Sequence, residues 1–203
     1  MSSRPGIGGS GAARRLRLVP ALLLAAACGP RDAGEQVERA PEAAAEQAAA
    51  EQAAAPESAR ALPEASAEAV LAYLEAADFR SSWDLWPGKG EKYEGTEPHG
   101  ALLTTYLNPA AARAAAEGAG RLPPGAIVVK DNFMPDGTLA ASTVMYKIEG
   151  YNPEAGDWWW AKFMPDGSVD MDGMAQGRVE MCIGCHARGA DNDYLLTGSI
   201  AQQ

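Results

Sequence analysis

Histidine is nearly missing from this sequence: of 203 residues, only His99 and His186 carry an imidazole. Cysteine occurs three times and phenylalanine three times, and the aromatics together make up 7%. Three thiols cannot all pair with one another, so a disulfide framework does not organise the chain and at least one cysteine has another task. Positive charge is also short, with 17 Lys and Arg against 27 Asp and Glu and a net charge of -10. Such a chain repels polyanions, which excludes nucleic acid as a partner. The apolar run Leu18–Ala27 is too short to span a bilayer. The length allows one ordinary domain with extensions and leaves no room for two large ones. The hydrophobic share of 47% is inflated by alanine, so it overstates the core.

What is present begins with a leader. Arg14, Arg15 and Arg17 precede the apolar run, no acidic residue comes before them, and small residues lead into Cys28. That order predicts an export signal over 1–27. Ala25-Ala26-Ala27-Cys28 is similar to a bacterial lipobox, which makes Cys28 the candidate for lipid attachment and the outer membrane, facing the periplasm, the expected location; cleavage by an ordinary signal peptidase is the alternative. Loss of the leader's four arginines would take the net charge from -10 to -14. From Cys28 to Ala61 the chain is mostly Ala, Glu, Gln and Pro, with the echo Ala43–Gln47 and Ala48–Gln52. It carries too little large apolar surface to offset its ordering entropy, so a disordered tether is predicted.

One domain, 62–203, follows. Ser66 to Phe79 has helical apolar spacing with Ser66 as the candidate cap. Leu102–Leu107, Ala126–Lys130, Leu139–Ile148 and Asp157–Phe163 read as strands, and Ala110–Ala119 as a short helix. Phe-Met-Pro-Asp-Gly occurs at 133–137 and again at 163–167. Pro before Asp-Gly presets a tight turn, so two such strings predict hairpins. The fold class is α+β, with a predominantly antiparallel sheet and peripheral helices.

The strongest chemical signal is Cys182-Ile183-Gly184-Cys185-His186. The pattern Cys-x-x-Cys-His suits covalent haem c: two thiols three apart can each add to a vinyl group of one macrocycle, and the next residue is delivered to the iron. A zinc knuckle would need a fourth ligand from His99 or a carboxylate, a redox dithiol would want a βαβ setting, and a simple disulfide stays open as a third alternative. The export signal favours haem, because attachment takes place outside the cytoplasm.

Around this motif stand Pro98-His99-Gly100, Tyr106–Pro109, Leu122–Asn132, Val144–Lys147, Gly156–Ala161, Asp193-Tyr194 and Thr197. Together they resemble the cytochrome P-460 family, with its relatives the cytochromes c′-beta, over roughly 83–197. The resemblance implies an antiparallel-sheet haem domain, a homodimer, haem c with His186 on the iron, and chemistry on hydroxylamine or nitric oxide. It also implies that Lys130 is a candidate for a covalent link to the porphyrin edge; read from position alone, Lys130 is an exposed residue ending a strand.

Other positions depart from the hydroxylamine-oxidising pattern. Leu103 stands where that group has an arginine, and Ser142–Tyr146 offers no pocket carboxylate. His99 is the candidate proton acceptor in its place, or a residue that only caps the turn after Pro98. Phe133, Met145 and Trp160 are candidates to cap an open iron site, or plain core. Met145 as a sixth ligand would instead make an electron-transfer cytochrome. An acidic chain suits a basic redox partner.

Overall fold

The computed structural model describes residues 61–200. The expected leader, Cys28 and all but the last residue of the expected tether lie outside the described residues.

Helix α1 spans Ala67–Ala77, and the Ser66 hydroxyl accepts the Ala69 N–H at 3.2 Å. Its Val70, Tyr73, Leu74 and Ala77 are buried, and Asp78, in the left-handed conformation, ends it. A single turn, α2 (Phe79–Ser82), follows. Helix α3 (Pro109–Glu117) is started by Asn108, whose side-chain oxygen accepts the Ala111 N–H, and is stopped by Gly118 in the left-handed conformation. Helix α4 (Glu180–His186) carries the Cys-x-x-Cys-His motif and runs into a 3-10 segment, Ala187–Asn192.

Between the helices lies a seven-stranded sheet. Its strands are β1 (Asp84–Leu85), β2 (Tyr93–Glu94), β3 (Leu102–Leu107), β4 (Ile127–Phe133), β5 (Leu139–Lys147), β6 (Trp158–Phe163) and β7 (Gln176–Gly177). The order is β1-β3-β4-β5-β6-β7, with β2 also on β3, and every pairing is antiparallel. Both Phe-Met-Pro-Asp-Gly strings are turns of one design. In each, the Met N–H donates to the residue after Gly, the Gly N–H donates back to Met, and the Asp carboxylate accepts the N–H two residues on. Gly137 and Gly167 sit at φ +83° and +84°, where a side chain would be strained. The first turn joins β4 to β5; after the second, only a single bridge, Phe163 to Val169, forms before the chain reaches β7.

Side-chain alternation divides the core in two. Ile127, Val129, Val144, Tyr146, Trp159, Ala161 and Phe163 pack with α1 and α2 on one face. Val128, Met145, Trp158 and Trp160 pack on the other with α3 and the chain after α4. Strand β4 runs three residues beyond the expected end at Lys130. Asp131 stays in the sheet because Arg80 grips it at 2.6 and 3.0 Å and Ser142 donates to it at 2.6 Å; Asn132 donates to the Ala141 carbonyl at 3.2 Å. Lys130 is therefore mid-strand, opposite Thr105 and Thr143, and only partly exposed; it is not an exposed strand-ending lysine.

Candidate haem site

Helix α4 places Cys182 and Cys185 one turn apart with His186 beside them. Both cysteines are free thiols, half-buried, and burial pushes the Cys182 thiol up, with Cys185 adding to the shift. His186 is 7% exposed, and its Nδ1 lies 2.7 Å from the Tyr194 carbonyl. A carbonyl only accepts, so Nδ1 carries the hydrogen. Burial lowers the pKa of His186, partly offset by that hydrogen bond. The ring is thus neutral near pH 7, and its Nε2 has a bare lone pair.

Two adjoining hollows meet at this ring. The smaller, about 40 Å³, is lined by Val128, Met145, Trp160, Cys182 and Leu195; the larger, about 180 Å³, by Tyr93, Cys185 and Arg188. His99, Lys130, His186, Leu196 and Thr197 line both. A hollow larger than either, about 430 Å³, lies elsewhere, between α1, α2 and the turn after β6, and no Cys or His lines it.

The structure brings most of the expected site residues together. Lys130 projects from the same face of β4 as Val128, and burial, reinforced by the Lys89 ammonium, lowers its pKa to about 8. His99 sits in a turn, with its N–H on the Thr96 carbonyl at 3.2 Å, yet its ring enters the cavity 6.0 Å from that of His186 at 88°. The turn and the cavity position are both real. Burial first, then the Lys130 charge, pushes His99 down to about 4. Met145 also lines the cavity. Trp160 packs edge-on against His186 at 4.7 Å and lines the smaller hollow.

Phe133 is not brought in. Alternation takes it off the face of Val128 and Lys130, and the ladder shifts register between Asn132 and Phe133. Its ring instead receives the Lys92 ammonium at 4.9 Å. Tyr194 was invisible as a participant from sequence, because it acts through its main chain. Lys147 and Asp193, which hold its turn, sit inside recognisable strings without any sequence sign that they meet.

The donor set fits haem. A bare ion would need further ligands, and among the described residues no group of three or more His, Cys, Asp and Glu is arranged to hold one. Two thiols, one imidazole with a free Nε2 and an apolar lining with a buried, unpartnered Trp160 Nε1 match a flat macrocycle bound through its edge and its metal. Fold and site together define a c-type haem protein built on an antiparallel sheet.

The family described as Cytochrome P460 matches residues 82–197, more than half of the chain, and the chain belongs to it. A comparison with curated proteins finds no match.

Proposed function

We propose that Cys182 and Cys185 would hold haem c through thioethers, that His186 Nε2 would bind its iron, and that the loaded protein takes small nitrogen species, nitric oxide or hydroxylamine. The observation that carries this reading is the His186 hydrogen bond to the Tyr194 carbonyl, which leaves one nitrogen for a metal beside the paired thiols. Haem iron supplies the redox chemistry when bound. The chain supplies the surroundings. Val128, Met145 and Leu195 make much of the lining apolar, which favours a small neutral ligand over a hydrated anion.

Hydroxylamine oxidation gives up electrons and protons in equal number, so a proton acceptor is needed. His99, with its ring in the cavity, is the acceptor we assign; its pKa of about 4 leaves it unprotonated at pH 7 and makes it a weak base. Lys130 is the candidate for a link to the macrocycle edge, because a buried amine with a pKa near 8 has a sizeable neutral, nucleophilic fraction. Such a bond replaces a hydrogen on each partner and removes an electron pair, which a peroxide would take up.

We further assign export with lipid attachment at Cys28, a homodimeric state and a basic redox partner. Radiolabelled palmitate, light scattering and salt-dependent reduction kinetics test these in turn. The central test is a titration of the reduced protein with nitric oxide, followed by hydroxylamine turnover with an artificial electron acceptor. Spectral binding is expected, and turnover decides enzyme against binder. A low-spin, six-coordinate resting spectrum that nitric oxide leaves unchanged would overturn the open site and favour an electron carrier with Met145 on the iron.

A further inference from the structure

Lys147 ends β5, and its ammonium donates to Asp193 Oδ1 in the protein interior; the two side chains are 8% and 0% exposed. Asp193 has no solvent to turn to. Its other oxygen accepts the Leu122 N–H at 2.9 Å, and its carbonyl accepts the Trp158 indole N–H at 2.9 Å. The Lys147 ammonium also lies over the Trp158 ring at 4.5 Å. The Arg121 guanidinium approaches the same carboxylate at 4.0 Å, but it is largely in water. A buried ion pair rarely adds net stability, because desolvation of both charges offsets their attraction. Its location is what calls for an account.

Asp193 and Tyr194 both have left-handed backbones, at φ +56° and +65°. Two consecutive side-chain-bearing residues hold that conformation only where neighbours over-determine it. Here the ties come from three elements: Lys147 at the end of β5, Trp158 at the start of β6, and Gly189, whose carbonyl accepts the Tyr194 N–H at 2.7 Å. The product of this turn is one carbonyl, aimed at His186 Nδ1. Hydrogen bonds to the far nitrogen of a metal-binding imidazole fix its rotation and raise its donor strength.

We propose that the Lys147–Asp193 pair is a positioning device for His186: it locks the Asp193–Tyr194 turn to the sheet and so sets the orientation and donor strength of the imidazole toward the iron. The inference rests on the reading of His186 as the iron ligand. Neither Lys147 nor Asp193 lines the cavity, so each acts through His186 and touches no substrate.

The test uses the haem-loaded protein. The double substitution Lys147→Met/Asp193→Asn removes both charges at similar volume and leaves no buried charge unpaired. Expected are a higher midpoint potential and a lower iron–histidine stretching frequency in the reduced protein, since a weaker Nδ1–H···O bond makes a weaker donor. Lys147→Arg, which keeps the charge, should stay near the parent in both. Trp158→Phe removes one tie to the turn while keeping a ring, and should move both readings in the same direction by less. If the double variant does not take up haem, Trp158→Phe decides. Parental potential and stretch in the loaded variants would overturn the proposal. His186→Ala separates the underlying reading: a parental iron–histidine stretch in that variant would show that His186 is not the ligand at all.

Discussion

Cys182 and Cys185 are one turn apart, so on the proposed reading each would form its own thioether to haem. Replacing either one with Ser should leave one thioether, and haem should resist acidic organic extraction in both single variants. The double variant should release it, as read by mass spectrometry of the protein and by absorbance of the organic phase. Lys130 offers a pH test. Its pKa is lowered to about 8 from 10.5, so between those values the unfolded chain holds a proton that the folded chain has given up. Stability due to this residue is fully present above the unfolded value and is lost as pH falls toward 8. In protein whose haem peptide carries an unmodified lysine, urea unfolding should show the parent gaining on Lys130→Met from pH 8 to pH 10. A constant difference would place the amine in water. The Cys-x-x-Cys-His string was legible because its chemistry lies in side chains at fixed spacing. Tyr194 was not, since any residue has a carbonyl and only the fold decides which one faces His186.

At the scale of the element, β6 carries Trp158, Trp159 and Trp160 in succession, all nearly inaccessible. Alternation sends the middle ring to the α1 side and its neighbours to the haem side. Trp159→Ala should therefore cost about 3–5 kcal/mol of stability through the cavity it leaves while the haem spectrum stays parental. Trp160→Phe should cost less and perturb the spectrum, because the indole touches His186. Denaturant melts and absorbance spectra of the two variants check the contrast. The longer strands could be read from their β-branched and aromatic runs. The far end of β4 could not, since Asp131 and Asn132 look like a strand terminus until Arg80, fifty-one positions earlier in the chain, supplies the partner that keeps the carboxylate inside. Strands β1, β2 and β7 are two residues each and too short to leave a periodic trace.

For the whole molecule, charge is the governing property. A net charge of -10 would speed encounter with the basic redox partner proposed above, and salt would screen that advantage. The second-order rate of electron transfer with a basic cytochrome should fall steadily as ionic strength rises, measured by stopped flow, whereas a neutral small-molecule reductant should show a nearly flat profile. A flat profile for both would remove electrostatic steering from the account.

The three indoles of β6 have an optical consequence as well. Haem absorbs where tryptophan emits, and energy transfer falls steeply with separation, so a folded, loaded molecule should be almost dark in ultraviolet-excited emission. Trp160 should be extinguished most completely, being in contact with His186. Unfolding lengthens the path between β6 and α4 without detaching a thioether-bound ring, so the same fluorophores brighten as the sheet opens. With haem bound as proposed, loss of cofactor and loss of structure would both raise the emission, and the absorbance of chain-bound haem would tell them apart.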